Sequence, residues 1–234
     1  MYIFIIRNFK LNFYFSKNII HFVTFSCFWE GITGMDSSKS QFGFSAKNFL
    51  LFELGGAVFS ALVTAFMRRF YSLCGGELIG ILFGAVNNSV WESTKLLLIS
   101  YLFWGLIELL CISVPFRAFV AAKTASLCFL CAVHIGFCCA ADWVLQSREA
   151  VFMLGSVCFF PASALSFFLL FGKFELSVFF VPSLFVLMLF WTIYFCFTPF
   201  PPHLEIFRDS LTRRFGLIPP DLIKEALYFL PYSA

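Results

Sequence analysis

Five stretches of this chain run for roughly twenty residues with at most one charge each, at residues 49–67, 96–114, 118–141, 150–172 and 176–198. That is the length of helix that crosses a hydrocarbon core of about 30 Å. In lipid every backbone amide must find its partner inside the segment, so continuous apolar runs of this length are helices. A β-barrel would show short alternating segments instead.

The rest of the composition agrees. Of 234 residues, 61% are apolar and only 12% charged, with a mean hydropathy of +0.91. Soluble domains carry about 25% charged residues. A soluble globule, a disordered chain and a fibrous repeat are excluded. A net charge of +3 without a basic stripe gives no footprint for nucleic acid. The nine cysteines lie mostly inside apolar runs, where they read as small core residues rather than a disulfide framework. The expected architecture is an all-α polytopic membrane bundle of about five helices, surrounded by the lipid bilayer.

The connections at 115–117, 142–149 and 173–175 are short, so sequential helices are antiparallel neighbours. In span one, Ala57, Ala61 and Ala65 form a small-residue stripe, with Gly56, Ser60 and Thr64 beside it, suited to close helix approach. Pro161 and Pro182 predict kinks in spans four and five, and Trp191 with Tyr194 suits an interfacial belt. Three parts result: residues 1–48 as an N-terminal extension, 49–199 as the bundle, and 200–234 as a Pro-rich tail ending in a short amphipathic helix. The extension reads either as interfacial or as preceding a functional start at Met35. Basic residues divide eight against eight between the two sides, or five against eight from Met35. The second count places the C-terminus in the cytoplasm.

Residues 75–86 are apolar but too short to cross, and their glycines weaken a helix. They read equally as a re-entrant segment or as an interfacial loop. Asn87-Asn88-Ser89-Val90-Trp91-Glu92-Ser93-Thr94-Lys95 follows. Ser89 and Glu92 have capping-box spacing, which starts span two there. At helical spacing Asn88, Glu92 and Lys95 share a face, with Glu92 and Lys95 able to pair. Asn87, Asn88, Trp91, Glu92 and Lys95 are candidate ligand-binding residues, because amide, carboxylate and amine groups at a helix N-terminus suit a polar ligand. The plain alternative is a helix cap and an ion pair at headgroup level.

This run, read with Phe70-Tyr71 and Gly75-Gly76, resembles a motif of a family of small bacterial multi-pass proteins, domain of unknown function 6512. The family pattern is His-x-x-Tyr-Glu-Trp-Ser-Gly, then Asn-Glu-Ser-Val-Trp-Glu-His-x-Lys. Here Tyr71, Gly75, Asn87, Ser89, Val90, Trp91, Glu92 and Lys95 match, while Arg68, Asn88 and Ser93 replace His, Glu and His. In the tail, Pro201, Pro202, His203, Phe207, Asp209, Thr212 and Gly216 match as well. The resemblance covers residues 49–217. It implies five spans and a bacterial inner-membrane location, and it implies no activity. The missing histidines and carboxylate weaken any metal or acid/base role carried over from it.

Other ionisable groups lie inside the spans. Glu53 opens span one, where a helix N-terminus favours it, and Glu108 lies deep in span two. His134 sits in span three between Cys131 and Cys138, and Cys128-x-x-Cys131 precedes it. One helix cannot wrap a metal site alone, so packing is the better reading, and neither a metal nor a cofactor is expected. Three functions follow. The favoured one is a small-solute or ion permease, or an accessory membrane subunit, working as a homo-oligomer or with a partner subunit. An intramembrane hydrolase using Ser89, Glu92 and Lys95 with His203 and Asp209 is the alternative. A thiol-redox protein using Cys128 and Cys131 ranks third.

Overall fold

The computed structural model describes residues 46–141, 155–172, 174–210 and 212–219. The N-terminal extension up to residue 45, Met35 included, the connection at 142–154 and the expected amphipathic helix of the tail lie outside them. All contacts below fall within the compact unit Phe49–Ala234. Six helices are described: α1 (Ala46–Leu73), α2 (Leu78–Phe83), α3 (Val90–Cys111), α4 (Phe116–Ala141), α5 (Phe159–Phe171) and α6 (Phe180–Phe197). Tight turns of 3₁₀ helix precede α5 at Ser156–Cys158 and α6 at Leu176–Phe179. Among the described residues, Arg208 and Phe215 form an isolated bridge and there is no strand.

Four helical stretches are long and apolar enough to cross a membrane: Phe49–Leu73, Val90–Cys111, Phe116–Ala140 and Leu176–Phe197. The fifth expected crossing is represented by a shorter apolar helix, Ser156–Phe171. Prolines account for how α5 and α6 begin. Pro161 and Pro182 each stand third in the α-helical part, just after the 3₁₀ turn that leads into it. A residue without an amide is tolerated more easily near such a junction than in the middle of a helix.

The core lies where α4 packs against α3, α5 and α6. Leu97, Leu98, Tyr101, Leu127, Leu130, Phe159 and Ala162 fill it. Tyr194 is buried there too, stacked 4.4 Å from Trp91, so it belongs to the core and not to an interfacial belt. Helix α6 is the outermost of the four, with only 6% of its apolar window buried. Phe185, Met188 and Leu189 point outward from it. Such a surface is costly in water and stable in hydrocarbon.

Helix α1 packs inward on the expected small-residue face, with Ala57 in the core and Ala61 against it, and meets α3 along the Gly56, Ser60 and Thr64 side of that face. Gly56, Ser60 and Thr64 are buried, whereas Ala65 is exposed. The hydroxyls decide this. Thr64 donates to Ser100 Oγ at 2.7 Å, and Ser60 reaches the Ser100 carbonyl at 3.3 Å. Facing lipid, Ser60 could not make that bond. Gly56 admits the Trp104 indole across the helix, since a Cβ there would lie 1.8 Å from Trp104 Nε1.

Between α1 and α3 the chain turns sharply. Gly75 and Gly76 take positive φ of 62° and 83°, which glycine adopts without steric cost. Helix α2 then doubles back against the end of α1. At Gly84 a Cβ would meet Tyr71 N at 2.5 Å.

Candidate functional site

Two clusters of charge are buried at opposite ends of the bundle. Glu92 and Glu108 are 16 residues apart on α3, or about 24 Å along its axis.

The first cluster gathers the motif at the start of α3. Ser89 is the N-cap, accepting from Glu92 N at 3.2 Å. The reciprocal half of a capping box does not form. Ser89 N donates instead to Asn87 Oδ1 at 3.0 Å, which frees the Glu92 carboxylate to turn inward. Glu92 Oε2 accepts from Val86 N at 3.1 Å and pairs with Lys95 Nζ at 2.7 Å, while Oε1 accepts from Thr198 Oγ1 at 3.2 Å. Lys95 Nζ also donates to the Ile81 carbonyl at 3.1 Å. Both residues are about 1% exposed, so this is a neutral, fully hydrogen-bonded ion pair that ties α2, α3 and the end of α6 together. Asn88 precedes the cap and lies outside the helix. Its side chain therefore leaves the Glu92 face, and its Oδ1 faces Arg68 Nη2 at 3.4 Å.

The tail folds onto this corner. Asp209 Oδ1 accepts from Asn88 N at 2.7 Å, and its Oδ2 accepts from Thr212 N and Oγ1. Asn87 Nδ2 donates to the Gly216 carbonyl at 2.9 Å, and Ser210 Oγ donates to the Asn88 carbonyl. Trp91 lies between Tyr194 and Phe207, 4.6 Å from the latter. His203 does not join: it is exposed and rests on Phe215. Of the proposed hydrolytic set, Ser89, Glu92 and Lys95 are brought together. Asp209 sits one layer out, bonded to backbone, and His203 stands apart.

The second cluster joins three helices. Lys123 of α4 pairs with Glu53 Oε1 of α1 at 2.7 Å and with Glu108 Oε2 of α3. Both carboxyl groups are fully buried. Lys123 Nζ lies 5.0 Å from the Tyr101 ring centroid and 5.7 Å from that of Phe119. Here two carboxyl groups share one ammonium. Among the described residues, Glu53 Oε2 and Glu108 Oε1 have no hydrogen-bond donor. A cavity of about 260 Å³ opens beside Lys123, lined mainly by apolar residues of α3 and α4 with Thr124 and, from α6, Leu187.

The remaining candidates are packing groups. His134 is buried, with Nε2 3.1 Å from Ser93 Oγ and 3.4 Å from Cys138 Sγ. Gly155 presses on its ring, since a Cβ there would be 2.6 Å from Cε1. Cys131 lies in the core with Tyr194, Cys128 is half-buried one turn before it, and no disulfide joins the two.

A family model described as a family of unknown function (DUF6512) matches residues 45–217. The chain belongs to this family. The match contains both charged clusters and the tail that caps the first. No curated protein and no solved structure matches the chain. Family membership therefore agrees with the motifs at Asn87–Lys95 and Pro201–Gly216 and adds no activity to them.

The second cluster is the part that sequence reading missed. Glu53 and Glu108 stand out as carboxyls inside apolar runs, but they are 55 residues apart and carry no motif. The missing signal was Lys123, itself inside an apolar run. A buried cation in one span and two buried carboxyls in others must find one another.

Proposed function

We propose that this DUF6512 protein is a multi-pass integral protein of the cell membrane that works as a small-solute or ion permease. The observation that supports this most is the Glu53–Lys123–Glu108 cluster, held among apolar helices beside an apolar cavity. Ionisable groups buried among spanning helices are costly to stability, and they mark pathways for ions and protons. The Glu92–Lys95 pair contributes differently. Every polar atom of it is bonded within the chain, so it serves as a lock rather than a binding site. The outward apolar face of α6 suits a bilayer or a second membrane subunit, and an accessory role in a larger complex is the second reading.

The test is flux. The full chain is reconstituted into liposomes carrying a pH-sensitive dye, and proton and monovalent-cation movement is followed under an imposed potential. We expect movement above that of protein-free liposomes, reduced at least tenfold in Glu108→Gln. Flux equal to protein-free liposomes overturns the permease reading.

A further inference from the structure

We propose that the Glu53–Lys123–Glu108 cluster is a proton-binding site that holds one exchangeable proton between its two carboxyl groups at neutral pH. The inference uses the membrane placement of α1, α3 and α4, and it stands whether or not any solute crosses.

Among the described residues, two carboxylates and one ammonium would leave one uncompensated negative charge inside apolar helices, in a medium where isolated ions are strongly disfavoured. Such a group neutralises rather than remaining charged. Geometry says where the proton goes. Glu53 Oε1 and Glu108 Oε2 both contact the Lys123 ammonium, which brings the two carboxyls to one point, while Glu53 Oε2 and Glu108 Oε1 have no donor among the described residues. Two carboxylates repel, whereas a carboxylate and a carboxylic acid share a hydrogen bond. One proton thus removes the excess charge and satisfies an orphaned oxygen together. The first cluster is an internal contrast: one carboxylate, one ammonium, every oxygen bonded and no excess charge.

Among the described residues no neighbouring group competes for the role. Tyr101 of α3 presents its ring to Lys123 and directs its hydroxyl to the Ala162 carbonyl at 3.5 Å. Helix α5 has no titratable residue in its sequence, and α6 faces the cavity with Leu187. On α4, Arg117 is exposed and lies over the Phe180 ring instead. A metal cation would need several oxygen ligands and would sit against an ammonium. A proton needs only a carboxyl oxygen, and each of the two carboxyls has one without a donor among the described residues. Lys123, which both carboxyls contact, lines the neighbouring cavity.

The experiment is infrared spectroscopy of the full chain in lipid nanodiscs, reading the C=O stretch of protonated carboxyl groups. At neutral pH the wild type should show one such group per chain, shifting on transfer to D₂O. Either Glu53→Gln or Glu108→Gln leaves one carboxylate against one ammonium, so the band should vanish in both. Lys123→Met removes the cation, so both carboxyls should protonate and the band should about double. A wild-type spectrum with no band at neutral pH overturns the proposal without any variant. So does a band that persists in both glutamine variants, or one that fails to shift in D₂O. Loss of flux with the band intact would overturn transport and leave this site standing.

Discussion

At the scale of single residues, Glu92 and Glu108 show how environment sorts two carboxyls on one helix. Glu92 accepts from Val86 N, from Thr198 and from Lys95, and each bond offsets part of the cost of taking a charge from water. Removing one partner leaves the other buried and unpaired. We therefore expect Lys95→Met to destabilise the folded chain by about 3–5 kcal/mol. In the Glu92→Gln/Lys95→Met double variant the loss should be smaller than the sum of the single losses. Denaturant unfolding in detergent micelles, run as a double-mutant cycle, measures the difference. Additive losses would show that the two groups do not act as a pair. Sequence spacing revealed this pair because i,i+3 neighbours on a helix meet whatever the fold. It could not reveal Thr198 or Ile81, whose approach depends on how α6 and α2 return to the same corner.

Elements follow the same division between local rules and tertiary ones. The start of α3 was legible because Ser89 caps it by local chemistry, and so was the end of α6 before its prolines. The buried face of α1 was legible to within one row of residues. Ala57 and Gly56 are both buried, and the bonds to Ser100 on another helix centre the contact with α3 on the row of Gly56, Ser60 and Thr64. Glycine positions separate the two kinds of constraint experimentally. At Gly84 an added methyl meets backbone of α1 at 2.5 Å, so Gly84→Ala should cost about 1–3 kcal/mol by forcing α2 off its seat. At Gly136 in α4 an added methyl has nothing within 4 Å, so Gly136→Ala should stabilise by up to about 1 kcal/mol through helix propensity. Thermal unfolding of the two variants side by side tests this. Equal effects would mean that α2 does not pack on α1 as described.

For the whole molecule, the tail makes the first charged corner an interior. Asn87 and Asn88 stand more than a hundred residues from Gly216 and Asp209 in sequence, yet each pair is joined by a hydrogen bond shorter than 3 Å. Asp209 is central to this closure. One oxygen satisfies a backbone amide just before the α3 cap, and the other closes the turn through Thr212 that returns the chain at Arg213 and Arg214. Phe207 adds an apolar contact on Trp91, and Ile218 is buried further along. The latch therefore has a polar centre with apolar contacts around it. Asp209→Ala removes the centre and leaves those contacts in place. We expect faster amide hydrogen exchange at residues 209–218 and at Asn88, by tenfold or more, with exchange in α4 unchanged. Exchange that rises equally in α4 would mean that the tail holds up the entire bundle. No change at Asn88 would mean that the aromatic contact at Trp91 holds the tail without Asp209.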